Sequence, residues 1–368
     1  MKVLIVYASA GAGHRKAAEA LQIHLQNTHP ELSLKAVDIL DDTPKLFKLL
    51  YSEGYIYLIS KLPWLWYLLY RVSFYFPDNP LNLYLEYIIC LPFVRLLQKE
   101  RPNVVISTHF LVNSVISVYK KRYPGHRLRL VSIITDYVLH PLWISEGVDT
   151  YICSCDYVKK ELMKRAVAEG KIRDYGIPVQ DKFYLPSDRK SAALRLKVDP
   201  EKFTILIMTG TIGIGPIEEI VKLLAGDFQL LVVCGTNSRL YKRLSALNHP
   251  SIKAYPLIHN VDELMSVSDT ALTKAGGITI TESLAKGLPM VFFSSIPGLE
   301  TANAGIICDY GAGIDTKTTA QIKKIALTLK NNKAAYEKAV QNLTRIRKTD
   351  TLINISNEIL RFLAISAE

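Results

Sequence analysis

The most informative stretch of the chain is Thr273-Lys274-Ala275-Gly276-Gly277-Ile278-Thr279-Ile280-Thr281-Glu282-Ser283-Leu284-Ala285-Lys286-Gly287-Leu288-Pro289. It has the pattern of a strand end, a glycine turn, a short helix and the start of another strand. The two adjacent glycines let the backbone approach a ligand closely, because glycine has no Cβ. The helix after them directs its free N–H groups and positive dipole end at the turn, which predicts a seat for a phosphate.

Glu282 lies about one turn into this predicted helix, where its carboxylate can accept hydrogen bonds from hydroxyl groups of a ligand. A phosphate seat beside such a carboxylate suits a nucleotide-sugar. The four residues from Thr279 to Glu282 also fit a capping box, in which the glutamate only bonds the start of its own helix. On this stretch alone, both interpretations stay open.

The pattern of strand, turn and helix recurs along the whole chain. At 368 residues the chain is long for one hydrophobic core, so two domains are expected. Apolar runs typical of buried parallel strands alternate with helical patterns in both halves. We therefore predict an α/β protein with two doubly wound, Rossmann-like domains facing each other across a cleft. The predicted boundaries are 1–178 for an N-terminal domain, 179–202 for a linker, 203–340 for a C-terminal domain, and 341–368 for a terminal helix that packs back on the first domain.

A glycine turn also follows the first apolar run, in the sequence Ser9-Ala10-Gly11-Ala12-Gly13-His14. It lacks the third glycine of the dinucleotide fingerprint, because Lys16 occupies that position, so a nicotinamide cofactor is disfavoured. We expect His14 to face solvent at the tip of the turn, where an imidazole of ordinary pKa can take a proton at neutral pH. His14 is therefore the best candidate for a general base, and the alternative is a cap for the next helix.

Other polar side chains follow strand ends, where ligands of open α/β sheets gather. His109 and His140 follow two such ends, and we interpret both as orienting or structural residues. Asp136 can pair with one of these imidazoles or serve as the base itself. In the second half, the N–H groups of the loop Gly213-Ile214-Gly215 can neutralise a diphosphate.

The sequence favours a reducing compartment and gives no metal motif. No Asp-x-Asp pair occurs, whereas enzymes that hold a diphosphate through magnesium or manganese usually offer paired carboxylates. We therefore expect neither metal nor cofactor, with the diphosphate neutralised by the protein itself. The five cysteines are odd in number without paired metal spacing, and the first residues contain no pattern of a signal peptide, so we expect the cytosol.

Residues 55–97 differ from the rest of the chain in composition. The run 63–76 is crowded with aromatic residues, but it is shorter than the roughly 20 apolar residues that span a bilayer. Residues 61–130 contain ten Lys or Arg against three acids, which is +7 of the net charge of +11. The charge suits nucleic acid or anionic lipid, and the mixture of Trp, Tyr and Arg favours lipid headgroups. The alternative is a buried, aromatic-rich helical subdomain.

Several motifs carry a family resemblance that extends over nearly the whole length. They lie at residues 9–18, 107–109, 135–143, 176–179, 232–237, 262–265, 273–277 and 297–303. In this order they resemble the diacylglycerol glycosyltransferases, which comprise the monogalactosyldiacylglycerol synthases of plastids and the processive diacylglycerol glucosyltransferases of Gram-positive bacteria. The lipid-linked N-acetylglucosaminyltransferase of peptidoglycan synthesis is similar at a greater distance.

The resemblance implies a GT-B architecture with the nucleotide-sugar on the C-terminal domain, the lipid on the N-terminal domain, and an inverting, metal-independent transfer. It implies that His14 deprotonates the glycerol hydroxyl, and we expect Asp136 as the second catalytic residue. It also implies that Glu282 contacts the ribose and that Glu300 and Asn303 contact the sugar hydroxyls. The complete set of expected donor contacts is Gly13, Gly213, Lys274, Ala275, Gly276, Gly277, Thr279, Glu282, Glu300 and Asn303.

We therefore expect a peripheral enzyme on the cytoplasmic face of the cell membrane that moves glucose or galactose from a UDP-sugar to diacylglycerol. Its expected partners are the UDP-sugar, diacylglycerol and an anionic lipid surface, without nucleic acid. Leu299 stands where relatives have glutamine, and the loop at 209–213 has fewer glycines than in many relatives, so the donor sugar stays open. The alternatives are transfer to a polyprenyl-linked or other lipid, a UDP-sugar epimerase, and a UDP-sugar sensor.

Overall fold

The computed structural model describes residues 1–9, 11–41, 43–75, 79–186 and 188–365. The chain forms two compact units. The first comprises Met1–Asp181 and the segment from Asp350 onward, and the second comprises Lys182–Thr349. Each unit contains a six-stranded, fully parallel sheet with helices between its strands, which confirms the predicted class of two doubly wound α/β domains.

The first sheet is built from the strands that the apolar runs predict, plus one short edge strand. Its members are β1 Lys2–Tyr7, β2 Ser33–Asp38, β3 Val104–Ser107, β4 Arg129–Ile133, β5 Thr150–Ile152 and β6 Ile172–Arg173. They are arranged in the order β2-β1-β3-β4-β5-β6. The chain leaves β1 to one side for β2 and returns to the other side for β3, so the switch point of the sheet lies between β1 and β3.

The helices of this unit include a group with little core contact. They are α1 Ala12–Thr28, α2 Lys45–Leu49, α3 Tyr55–Lys61, α4 Pro63–Ser73, α5 Pro80–Ile89, α6 Leu91–Glu100, α7 Phe110–Arg122 and α8 Asp156–Lys164, with a π-helical turn at Leu50–Gly54. Helix α1 covers the sheet with Ala17, Ala18, Leu21 and Leu25. Helices α2, α3 and α4 contain no fully buried residue, because their apolar side chains point largely outward.

The second sheet follows the same rules with a different strand order. Its strands are β7 Thr204–Met208, β8 Gln229–Val233, β9 Ile252–Tyr255, β10 Thr270–Thr273, β11 Met290–Phe292 and β12 Gly313–Asp315, in the order β12-β11-β10-β7-β8-β9. The switch point lies between β7 and β10. The helices are α9 Arg189–Leu196, α10 Ile217–Leu224, α11 Ser238–Ala246, α12 Val261–Val267, α13 Gly277–Lys286, α14 Leu299–Asp309, α15 Thr319–Asn331 and α16 Lys333–Leu343.

The structure differs from the predicted linker at 179–202. Helix α9 lies within that range and buries Ala192, Ala193 and Leu196. Arg189 ties it to the second unit, with Nη1 donating to Asp269 Oδ1 at 2.7 Å. Polar composition therefore concealed a short helix with one apolar face and a partly buried ion pair.

The last helix, α17, spans Thr351–Ile365 and belongs to the first unit, although it follows the whole second unit in sequence. Leu352, Ile355 and Ile359 join the core cluster formed by β1, β3 and β4. The helix begins ten residues later than the predicted start at 341, because α16 ends only at Leu343 and residues 344–349 follow it within the second unit. Residues 366–368 of the predicted helix lie outside the described residues.

The aromatic run is not a buried subdomain. Trp64, Leu68 and Val72 on α4 are 66%, 52% and 46% exposed. Phe76 and Pro77, at the end of the run, lie outside the described residues. Within the described ranges, no single helix has the length and apolar character needed to cross a bilayer; the bent pair Leu81–Ile89 and Leu91–Glu100, at 68°, meets that criterion only when taken together.

Candidate active site

His14 lies at the switch point of the first sheet, held by the ends of three strands. It occupies the first turn of α1, directly after β1. Its Nδ1 is 2.7 Å from the carbonyl oxygen of Thr108, after β3, and 2.9 Å from Oγ1 of Thr135, after β4. Thr108 Oγ1 in turn donates to the carbonyl oxygen of His14 at 3.0 Å. The imidazole is therefore fixed from both its ring and its backbone.

These contacts determine which ring nitrogen of His14 carries the proton. A carbonyl oxygen only accepts hydrogen bonds, so Nδ1 must be the protonated nitrogen that faces Thr108. The Nε2 lone pair is then left to accept a proton, which is the state a general base needs. The backbone cap of α1 is Gly11, which receives no side-chain bond, so the capping alternative for His14 is wrong.

The environment of His14 differs from the expected solvent-facing turn. The side chain is half-buried, and burial lowers the pKa of His14 to about 4, with the Thr108 carbonyl opposing that shift. The expectation of an ordinary pKa is therefore wrong. The helix starts at Ala12, two residues before His14, which draws the ring against β3 and β4 and away from the tip of the turn.

The imidazoles of His109 and His140 each accept a hydrogen bond from a backbone N–H group, as the interpretation of both as orienting or structural residues expects. His109 caps α7, with Nδ1 accepting from Leu111 N at 3.2 Å, and its ring meets that of His14 edge to face with centroids 4.6 Å apart. Burial and the neighbouring His14 lower the pKa of His109 well below its ordinary value. His140 caps the short 3-10 helix Pro141–Trp143.

Asp136 lies in the same loop as His140, between β4 and β5, but the groups in contact with His14 Nδ1 belong to Thr108 and Thr135. The Asp136 backbone oxygen accepts a hydrogen bond from Ser154 Oγ at 2.7 Å. Burial raises the pKa of Tyr70, and the negative charge of the Asp136 carboxylate raises it further. Thr108 and Thr135 lie in two of the family motifs, at 107–109 and 135–143, but the sequence alone assigned them no role. Their position directly after β3 and β4 was the available signal, since parallel strands end at one edge of the sheet.

The second unit places its glycine turn at its own switch point. Helix α13 begins at Gly277 with Gly276 as the backbone cap, and no side chain of the described residues caps it. Its first N–H groups are thus directed at the space beyond β10, as an anion seat requires. Thr279 lies inside the helix and cannot be its cap, so the capping-box interpretation of Glu282 is wrong. Glu282 is on the same helix and is 3% exposed.

A lysine and a glutamate flank this turn. Lys274 Nζ donates to Glu300 Oε1 at 2.7 Å, and Glu300 Oε2 accepts from Ile296 N at 2.9 Å. The lysine stem passes over Gly210, where a Cβ would lie 2.9 Å from Lys274 Cε. Asn303 is fully buried beneath the turn, with Nδ2 donating to the Ala275 carbonyl at 3.1 Å. The structure therefore places Asn303 as a support of the turn.

The loop after β7 completes the cradle on the other side of the switch point. Gly213 has φ +63°, and a Cβ there would lie 2.3 Å from the Cys234 carbonyl oxygen, so only glycine fits. Asn237 Nδ2 donates to the Gly213 carbonyl at 3.1 Å. Among the described residues, no group of three His, Cys, Asp or Glu side chains is arranged to hold a metal ion.

Two doubly wound sheets, one with a positioned imidazole and one with a glycine-lined anion seat at its switch point, define a glycosyltransferase of the GT-B class. Solved structures share the fold over nearly the whole chain. The Acinetobacter baumannii MurG structure has a TM-score of 0.62 at 16% identity, covering 98% of this chain and 99% of its own. The Staphylococcus aureus MnaA–UDP structure has a TM-score of 0.65 at 12% identity, covering 100% and 98%.

The chain belongs to the diacylglycerol glycosyltransferase family. Residues 14–179 match the family described as monogalactosyldiacylglycerol (MGDG) synthase, and residues 204–353 match the glycosyltransferase family 28 C-terminal domain. A processive diacylglycerol beta-glucosyltransferase of Bacillus licheniformis is 31% identical over 72% of this chain and 69% of its own length. The Bacillus pumilus protein of that name is 28% identical over 98% and 94%, and a probable chloroplastic monogalactosyldiacylglycerol synthase of Glycine max is 27% identical over 97% and 71%.

Proposed function

We propose that this enzyme transfers glucose or galactose from a UDP-sugar to the free hydroxyl of diacylglycerol, with inversion to a β-glycoside. The observation that carries the proposal is the fixed tautomer of His14, with Nδ1–H bonded to the Thr108 carbonyl and, within the described part of the chain, no hydrogen bond at Nε2. Nε2 takes the hydroxyl proton as the glycerol oxygen bonds to the anomeric carbon. The bond from that carbon to the diphosphate breaks, and UDP leaves with its electron pair.

The donor half of the proposal rests on the glycine turn of the second unit. The first N–H groups of α13 and the ammonium of Lys274 supply positive charge where the diphosphate would lie. Glu300 already holds Lys274, and we propose that it turns one oxygen to the sugar hydroxyls when a donor binds. A protein that neutralises the diphosphate in this way needs no divalent cation, so transfer should persist in excess EDTA.

The acceptor half rests on the exposed helices of the first unit. Trp64, Tyr67 and Leu68 on α4 form an apolar face of the kind that lies in the headgroup zone. A groove of about 280 Å³ between α5, α6 and the end of α7 contains Arg95 and Arg122. Neither guanidinium has a carboxylate partner within the described part of the chain, which suits an anionic lipid. We propose a peripheral enzyme on the cytoplasmic face of the membrane.

One assay tests the reaction. Labelled UDP-glucose and UDP-galactose are offered in parallel with diacylglycerol vesicles, and lipid products are separated and their anomeric configuration determined. We expect labelled β-glycosyl-diacylglycerol from one donor, with His14→Ala losing transfer yet keeping the affinity for UDP. Transfer by His14→Ala at the wild-type rate, or an α-linked product, would contradict the mechanism. A changed UDP-sugar without any lipid present would favour an epimerase.

A second assay tests the membrane proposal. The double variant Trp64→Ser with Leu68→Ser should lose most co-sedimentation with anionic vesicles at low salt, because it removes two exposed apolar anchors. The matched control is Leu194→Ser, which changes a leucine that is 80% exposed in the second unit. Equal vesicle binding by the wild type, the double variant and Leu194→Ser would contradict docking through α4.

A further inference from the structure

Helix α4 has two faces with different surroundings. One face carries the exposed Trp64, Leu68 and Val72. The other ends in Tyr70 and Ser73, which lie against the loop between β4 and β5. A helix of eleven residues is marginal on its own, so what it packs against determines its position. Its inner contacts therefore set where it lies on the first unit.

The inner face of α4 is hydrogen-bonded to His140. His140 Nδ1 accepts from Leu142 N at 3.2 Å, which assigns the proton of the neutral ring to Nε2. Nε2 then donates to Ser73 Oγ at 3.0 Å, and the Ser73 hydroxyl donates to the Tyr70 carbonyl at 2.8 Å. The Tyr70 ring adds packing, with its centroid 5.2 Å from that of His140. Every polar atom in this chain of bonds has a partner.

The same loop leads directly to the catalytic base. It leaves β4 at Thr135, whose hydroxyl contacts His14 Nδ1 at 2.9 Å, and reaches His140 five residues later. Its far end is pinned by Asn113, whose Nδ2 donates to the Trp143 carbonyl at 3.0 Å. Because the far end is held, a displacement of His140 acts on the short stretch that leads back to Thr135. The exposed helix and the base are thus joined through one short segment.

We propose that Ser73 and His140 are positioning residues that connect the lipid-facing helix to the loop that holds His14. When a bilayer receives the exposed face of α4, the helix is held from both sides, and the loop is fixed with Thr135 against the imidazole. In water only the inner contacts hold the helix. Turnover should therefore be faster on vesicles than on a dispersed acceptor, even at saturation. This inference rests on the proposed transfer to diacylglycerol.

The test compares kcat on two acceptors for Ser73→Ala. One acceptor is long-chain diacylglycerol in anionic vesicles, and the other is a short-chain diacylglycerol below its aggregation concentration. We expect kcat on vesicles to fall about fivefold, the effect of losing one partly buried hydrogen bond, with kcat on the dispersed acceptor, KM and vesicle binding unchanged. Ser73→Thr, which retains the hydroxyl, should restore kcat. Ser60→Ala, at an exposed position on α3, is the matched control.

Hydrogen exchange of residues 134–143 provides a readout that needs no turnover. Vesicles should slow exchange of this loop in the wild type and leave it unchanged in Ser73→Ala. An equal loss of kcat on both acceptors, or vesicle protection retained in Ser73→Ala, would overturn the proposal. If the wild type glycosylates neither acceptor while vesicles still protect the loop, the proposed reaction fails and the physical connection stands.

Discussion

Replacing Thr135 by valine tests how His14 is held without removing the base. Valine keeps the shape of threonine but loses Oγ1, which is 2.9 Å from His14 Nδ1. The Thr108 carbonyl remains at 2.7 Å, so the tautomer is retained. In the wild type, the contact with Thr135 stabilises the protonated imidazole more than the neutral one, because hydrogen bonds to charged groups are stronger than those between neutral groups. The valine variant loses this difference.

The magnitude follows from that difference. A bond to a neutral group contributes about 1 kcal/mol and a bond to a charged group about 2 kcal/mol, so roughly 1 kcal/mol belongs to the transition state alone. This corresponds to a fall in kcat of about five- to tenfold, with KM for donor and acceptor unchanged. Steady-state rates on diacylglycerol vesicles measure it.

Two controls make this experiment decisive. Thr135→Ser retains the hydroxyl and should remain within about twofold of the wild type. Thr108→Val removes only the bond to the His14 backbone oxygen and leaves the carbonyl in place, so its effect should be smaller than that of Thr135→Val. A wild-type kcat in Thr135→Val, or a raised KM with kcat intact, would refute the assigned role.

Three further predictions concern pH and the donor site. Nε2 of His14 accepts a proton only when the ring is neutral, and burial lowers the pKa of His14 to about 4. We therefore expect kcat/KM to stay constant as the pH falls to about 5 and to decline below it. A decline that begins near pH 6.5 would contradict the buried base. Gly213→Ala should weaken UDP binding at least tenfold, because the new Cβ would lie 2.3 Å from the Cys234 backbone oxygen; calorimetry measures the affinity. The control, Gly226→Ala, has open space around it and should bind UDP with wild-type affinity. Lys274→Met should weaken UDP binding about tenfold, and an unchanged affinity would restrict Lys274 to holding Glu300.

The strands and both glycine turns were predictable because their signals are local. Continuous apolar runs in both halves coincide with β1, β3, β7 and β8, and a turn of small residues follows both β1 and β7. The two edge strands β6 and β12 carry no such run, since each contains a single apolar side chain, Ile172 in β6 and Ile314 in β12. The family motifs then pointed to His14 and to the turn at Gly276.

The partners of His14 were not predictable from spacing. Thr108 and Thr135 are 94 and 121 residues away, and only the strand order β1-β3-β4 brings them to the same ring. The lowered pKa has the same origin, because burial is set by packing and not by the neighbours of His14 in sequence. The helix within the predicted linker was hidden for a different reason, namely that its ion-pair partner, Asp269, lies 80 residues further along the chain.

Helix α17 also affects the order in which the protein can fold during synthesis. The core of the first unit includes Leu352, Ile355 and Phe362, which the ribosome adds after the entire second unit. Throughout translation of residues 182–349, part of the apolar core of the first unit, beside the part that α1 covers, therefore has no partner helix. The second unit has all its strands and helices in one continuous segment and can complete its fold first. A nascent chain paused before Thr351 should consequently be a substrate for chaperones that bind exposed apolar surface.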